Sequence, residues 1–330
     1  MLRYLVLFLL IPLAARAEPP RVVADIAPVH SLVQMVMAGV GEADLLLPAT
    51  ASPHDYALRP SDAVRLQSAE VVFWVGPGLT PWLKKPLDVL GGAETVALFY
   101  ADGTYHRPMR LGAAFPGHGG HGHGDDDKEH GHDGDGDHGK DRNADGHLAE
   151  DHDDHKHASD DPHAWLDPVN ARLWVGVIAE TLAAKDPGNA ERYRANAAAA
   201  GAVLSDLTEE LRNRLSKHRE VRFLVDHDAY GYFEDRFGLS ALGAVSDGHA
   251  ARPGAKRVQA LREVLEERPG GCVLRSPETP ERALTALISG LDVRVIQVDQ
   301  LGVGIEPGVD LYARLLTGLA EAFVACAGSK

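Results

Sequence analysis

The sequence predicts an α/β fold in which two α/β lobes with parallel-type sheets are joined by one long rigid helix. Three observations predict it. Short apolar, β-branched runs alternate with helical patterns at close spacing in both halves of the chain. One long Ala-rich stretch with no interrupting Pro separates those halves. The only segment without any hydrophobic period is an insert of His, Asp and Gly in the first half. At 330 residues, 45% of them hydrophobic, the chain has the material for two domains of ordinary size.

The elements follow in order. "RVVADIAPVHSLVQMVMAGVG" reads as a strand, a turn at Pro28 and a helix ending near Gly39 and Gly41. "ADLLLP" is a buried strand, and "RPSDAVRLQSA" is a helix that Ser61 or Asp62 can cap. "EVVFWVGP" is a strand stopped by Gly76 and Pro77; "PWLKKPLDVLGG" is helical and "ETVALFY" is again a strand. Beyond the insert, "DPHAWLDPVNARLWVGVIAETLAAKD" is a turn and an apolar-faced helix. Residues 188–217 then form the linker helix, which at about 29 residues spans about 43 Å. The second half repeats the alternation, with strands in "RFLVD", "LSALGAVS", "GCVLRS" and "VRVIQVD" and helices in "GYFEDRF", "GAKRVQALREVLEER", "PERALTALISGL" and "GVDLYARLLTGLAEAFVACA". The domain reading is a signal peptide over residues 1–17, an N-terminal lobe over 18–187, the linker helix over 188–217 and a C-terminal lobe over 218–330.

Charge and targeting narrow the function. The formal net charge is −15, which argues against a nucleic-acid partner, since that would want a basic patch. Residues 117–161 hold 15 Asp and Glu against 4 Lys and Arg, a net of −11, so the rest of the chain carries only −4. The N-terminus, with Arg3, the run "YLVLFLLIPLAA" and the small-x-small site "ARA" ending at Ala17, reads as a cleaved signal peptide. No Cys stands at the cleavage point to carry a lipid. An exported, monomeric protein of the periplasm is expected. In that compartment Cys272 and Cys326 read as a disulfide, with a thiolate metal pair as the alternative.

The candidate ligands are histidines. Ten of the 17 fall in the insert: His118, His121, His123, His130, His132, His138, His147, His152, His155 and His157. With no core to fold around, the segment 116–161 is expected to be disordered without metal. It reads as a zinc-gathering segment, a sensor of plentiful zinc, or a solvated spacer. Its imidazoles are neutral near pH 7 and charged below about 6.5, so any metal binding by them weakens in acid.

Outside the insert, His54 in "ASPHDYALRPSD" lies in a loop after a strand. His163 in "DPHAWLDP" lies in a Pro-flanked turn, and His227 in "LVDHDAYGYFE" at the carboxyl end of a strand. Ligands of open parallel sheets collect at such carboxyl ends. Asp299 in "VIQVDQLG" also ends a strand. Three imidazoles and a carboxylate suit four-coordinate zinc, whereas manganese favours more oxygen ligands. The same donors in an enzyme would hold an activated water, with Asp55 or Asp228 as general base. A lone loop His is usually only exposed or hydrogen-bonded. His30 reads as packed or exposed on the first helix, and His218 as a cation suited to the end of the long helix. His106 and His249 lack ligand-like neighbours in the sequence. There is no H-E-x-x-H, G-x-S-x-G or P-loop motif.

The segments "ASPHDYALRPSDAVRLQSAEVVFWVGPGLTPWL", "DPHAWLDP", "HDAYGYFEDRFGL", "RPGAKRVQALREVL" and "VDQLG", in this order, resemble the zinc-specific solute-binding proteins of ABC transporters. These are the ZnuA-like members of the cluster A-I metal-binding family. The resemblance covers nearly the whole mature chain. It implies two α/β lobes bridged by a long helix and zinc held in the cleft by His54, His163 and His227. Asp299 or water is left for the fourth position. It also implies an accessory His-rich loop, a second-lobe disulfide matching Cys272 and Cys326, and an inner-membrane ABC permease as partner. Two departures are visible. Pro53 stands where some members place a Glu before the first histidine, and Arg275 or Ser276 stands where manganese relatives place a Glu. The resemblance therefore implies capture of Zn²⁺ as cargo and no catalysis. Manganese or iron uptake is the alternative within the class, and an exported zinc hydrolase or a passive zinc buffer the alternatives outside it.

Overall fold

The computed structural model describes residues 18–90, 92–110, 112–115, 160–246, 254–267, 271–277, 279 and 281–328. The signal-peptide reading, His249 and the ten histidines of the insert lie outside them.

The chain divides into two compact units. The first comprises Met1–Tyr105, Pro162–Leu215 and Asp299–Glu321; the second comprises His106–Asp161, Ser216–Val298 and Ala322–Lys330. In the first unit β1 (Val22–Ala24), β2 (Ala43–Leu45), β3 (Val71–Trp74) and β4 (Glu94–Ala97) form an all-parallel sheet in the order β2-β1-β3-β4. In the second, β5 (Phe223–His227), β6 (Ala244–Ser246), β7 (Cys272–Arg275) and β8 (Arg294–Gln297) repeat that order as β6-β5-β7-β8, again all parallel. The central strands are buried along their length, as VVFW in β3, which is why they read as continuous apolar runs. In each sheet the strand order reverses between the first and third strands, which makes their carboxyl ends the natural place for a ligand.

Helices α1 (Ala27–Met37), α2 (Pro60–Ser68), α3 (Pro81–Leu90), α4 (Pro168–Lys185) and α5 (Ala190–Leu215) belong to the first unit. The long stretch without Pro is α5, 26 residues that bury Tyr193, Leu204, Leu211 and Leu215 along one face. Helices α6 (Gly231–Phe237), α7 (Ala255–Glu267) and α8 (Glu281–Ile288) surround the second sheet, and α9 (Leu311–Ala327) starts in the first unit and ends in the second. Among the described residues no helix is long and apolar enough to cross a membrane.

Several local readings are corrected. Pro28 is not a turn but lies in the first turn of α1, where its missing N–H costs nothing. Helix α2 is capped at Arg59, with Pro60 following and the Asp62 carboxylate accepting from Arg59 N at 2.9 Å; Ser61 does not cap it. Of "LSALGAVS" only Ala244–Ser246 is strand. The disulfide joins Cys272 of β7 to Cys326 of α9, tying the closing helix to the second sheet.

Candidate metal centre

In the first unit, His54 sits on the loop between β2 and α2, and that loop is fixed from both sides. The indole Nε1 of Trp82, on α3, donates to Pro53 O at 2.7 Å. The Tyr56 ring lies 5.2 Å from that of Trp82, and its hydroxyl donates to Asp62 at 2.9 Å. Pro53 is thus more than a missing Glu: its carbonyl is the anchor point of the histidine's backbone.

His163 opens a short 3-10 turn, Ala164–Leu166, that runs into α4. Asp167 caps that helix, its carboxylate accepting from Val169 N at 2.8 Å. The turn is buried around Trp165, whose Nε1 donates to Gln300 O at 2.9 Å and whose own carbonyl accepts from the Tyr312 hydroxyl at 2.6 Å. These bonds bring the His163 turn and the Asp299–Gln300 segment into one packed cluster. The rings of His54 and His163 meet edge to face with centroids 5.4 Å apart. Two residues 109 positions apart in the chain are therefore neighbours, through the packing of α3 and the Trp165 turn.

Asp299 does not end a strand. It lies two residues past β8, in the first unit, and its Oδ1 accepts from Leu301 N at 2.9 Å and Gly302 N at 3.0 Å. Burial raises its pKa from the ordinary range, and the backbone N–H groups of Leu301, Gly302 and Val303 oppose that rise. Its carboxylate thus already serves a turn.

In the second unit, His227 is the last residue of β5, with its Nδ1 3.3 Å from Asp226 Oδ1 and its ring 6.1 Å from that of Tyr230. Asp226 is buried. Its other oxygen, Oδ2, accepts from Ser276 N at 3.2 Å, Ser276 Oγ at 2.5 Å and Thr279 Oγ1 at 2.9 Å. Burial alone would push this carboxyl up. The neighbouring His227 and the two hydroxyls outweigh burial and hold it at about 2.

On the other side of His227, Asp228 is gripped by Arg110. The guanidinium spans Asp228 and Glu234, with Nε 2.9 Å from Asp228 Oδ1, Nη1 2.7 Å from Glu234 Oε2 and Nη2 2.9 Å from Glu234 Oε1. Arg107 pairs with Asp161 at 3.1 Å and Asp235 at 3.0 Å, while the Tyr232 hydroxyl donates to Asp161 O at 2.8 Å. Pro108 and Asp160 form an antiparallel bridge, so the two ends of the chain flanking residues 116–159 are stapled together. Gly231 is needed here, because a Cβ at that position would meet Arg107 Nη1 at 1.7 Å.

His54 and His163 are thus brought together, and Asp299 joins the cluster that carries His163. Among the described residues, however, no group of three or more His, Cys, Asp or Glu stands ready to hold a metal ion. His30 is packed, with Nε2 2.9 Å from Ala43 O. Trp82, Arg110 and Asp226 are not singled out by the sequence pattern. Only Asp226 leaves a visible signal, as a carboxylate beside a histidine in "LVDHDAYGYFE".

A family model described as "ZnuA: Zinc-uptake complex component A periplasmic" matches residues 22–326. The high-affinity zinc uptake system protein ZnuA of Paracoccus denitrificans is 41% identical over 319 residues, 96% of this chain and 94% of the relative. The protein of the same name from Brucella abortus is 38% identical over 311 residues, 94% of this chain and 92% of the relative. Among solved structures, a crystal structure of ZnuA matches with a TM-score of 0.71 at 20% identity, covering 94% of this chain and 100% of the other. The periplasmic zinc binding protein TroA from Treponema pallidum matches with a TM-score of 0.73 at 18% identity, covering 94% and 100%. The two parallel α/β units and the long α5 are the shared fold, and the chain belongs to the ZnuA family of periplasmic zinc-uptake components.

Proposed function

We propose that this protein captures Zn²⁺ in the periplasm at high affinity and delivers it to an inner-membrane ABC permease, acting as a monomer and catalysing no reaction. The observation that carries the proposal is the edge-to-face pairing of His54 and His163 at 5.4 Å, in a chain whose relatives are named for zinc uptake. His54, His163 and His227 are the proposed ligands, with Asp299 or water in the fourth place. Imidazole donors suit zinc better than manganese. Asp299 Oδ1 is engaged by two backbone N–H groups, so Oδ2 is the oxygen it would offer in that fourth place, with water as the alternative.

Two observations favour capture over the hydrolase reading. Asp228 is held by Arg110, and Asp55 is exposed on its loop. In the proposed role the His-rich segment gathers or senses zinc as an accessory. Chelator competition with Zn²⁺ and Mn²⁺ on the full chain, His163→Ala and His227→Ala tests the assignment. A zinc-preferring tight site lost in both variants is expected. Wild-type zinc affinity in either variant, or a preference for Mn²⁺, overturns it.

A further inference from the structure

The two sheets place a buried aspartate at the same point. Register aligns Val22, Val23 and Ala24 of β1 with Phe223, Leu224 and Val225 of β5, each triplet pairing with the third strand of its sheet. The next residue is Asp25 in one unit and Asp226 in the other. Both carboxylates bind the main chain just past the third strand, Asp25 Oδ2 accepting from Val75 N at 2.9 Å and Asp226 Oδ2 from Ser276 N at 3.2 Å. The shared role is structural: each ties the end of the first strand to its neighbour where the strand order reverses.

The second oxygen distinguishes them. Asp25 Oδ1 accepts from Ile26 N at 2.8 Å and so completes a purely local turn. Asp226 Oδ1 instead lies buried 3.3 Å from His227 Nδ1, a charge-to-ring approach without an aligned hydrogen bond, while the hydroxyls of Ser276, where the first unit has Val75, and of Thr279 clamp its Oδ2. A carboxylate fixed on one oxygen and offering the other to an imidazole nitrogen selects the tautomer with hydrogen on that nitrogen.

We infer that Asp226 is a positioning residue for zinc capture: it holds the hydrogen of His227 on Nδ1, orients the ring and leaves Nε2 as the metal-binding atom. This rests on the proposed ligand role of His227. It makes the departure at residues 275 and 276 informative, because Ser276 works as the clamp on the carboxylate behind the histidine. It also predicts an asymmetry, since Asp25 makes the same backbone tie with no histidine to orient.

The test is long-range ¹H–¹⁵N correlation of His227 in the metal-free full chain, with zinc affinity measured on wild type, Asp226→Asn and Asp226→Ala. The expected wild-type spectrum has the hydrogen on Nδ1. The isosteric Asp226→Asn keeps an acceptor oxygen but loses its charge, and its zinc affinity should fall roughly 10-fold; Asp226→Ala should lose the tautomer preference and approach a roughly 100-fold loss. A wild-type hydrogen on Nε2, or affinity within about twofold of wild type in Asp226→Asn, overturns the inference; the isosteric variant decides if Asp226→Ala does not fold. His227→Ala separates this from the ligand assignment. Unchanged zinc affinity there removes the ligand role, while the tautomer measured without metal still reports on the Asp226 contact.

Discussion

Arg110 is the residue whose removal probes the energetics of the second unit most sharply. Its side chain is 18% exposed and closes over Asp228 and Glu234, which are 5% and 2% exposed. Glu234 is further committed, accepting from Ala241 N at 2.8 Å. Arg110→Met keeps most of the apolar stem against Phe115, whose ring lies 4.1 Å from the guanidinium carbon, and leaves two buried carboxylates without their cation. Breaking a buried pair from one side costs about 3–5 kcal/mol, chiefly because the remaining charge stays desolvated. The triple variant Arg110→Met, Asp228→Asn, Glu234→Gln removes those charges and should recover most of the loss. All four tryptophans lie in the first unit, so tryptophan fluorescence follows that unit while far-UV circular dichroism follows both. In urea, Arg110→Met should lower the midpoint of the dichroism transition. A loss below about 1 kcal/mol, or a triple variant no more stable than Arg110→Met, would show that the buried cation does not hold this cluster together.

Two further outcomes are expected. Reducing or removing the Cys272–Cys326 disulfide, which closes a loop with a sequence separation of 54, should cost the second unit about 4 kcal/mol in denaturant; a cost under about 1 kcal/mol contradicts this. Asp25 is fully buried, and burial outweighs its bonds from Val75 and Ile26 and pushes its carboxyl up to about 7. Its folded pKa therefore lies above its unfolded one, so its contribution is fully present below about pH 4 and is lost as pH rises through about 7. A ¹³C titration of Asp25 should show a midpoint near 7, with first-unit stability declining towards it; a midpoint at or below about 4 would mean that the backbone bonds outweigh burial.

The sheet pattern was readable because buried parallel strands leave continuous β-branched runs such as VVFW and CVLR. The α6 segment "GYFEDRF" ends on Gly238 at φ 69°, a left-handed cap that the sequence signals as a Gly after an aromatic helix end. Cap identity was harder to read, since Asp62 bonds backward to Arg59 and depends on a Pro that sets the helix start. His54 and His163 each stand alone in their motifs, so their meeting is legible from their loop positions and from family resemblance and not from periodicity. Periodicity carries no information about which loops pack together. Arg110 and Trp82 left no trace because their roles depend on partners 118 and 29 residues away in the chain. Asp299 lies one short step beyond the strand that its sequence suggests: the strand ends at Gln297, and the next polar side chain builds a turn and does not continue an edge.

The proposed tight site belongs to three scattered histidines and not to the run of His, Asp and Gly. Zinc titration of a chain lacking residues 117–157, and of His54→Ala in both the full and the shortened chain, separates the two. The shortened chain should keep one tight equivalent, and His54→Ala should abolish or severely weaken it. Loss of the tight equivalent on loop deletion, with His54→Ala in the full chain binding zinc as wild type does, would move the site from the histidines to the loop.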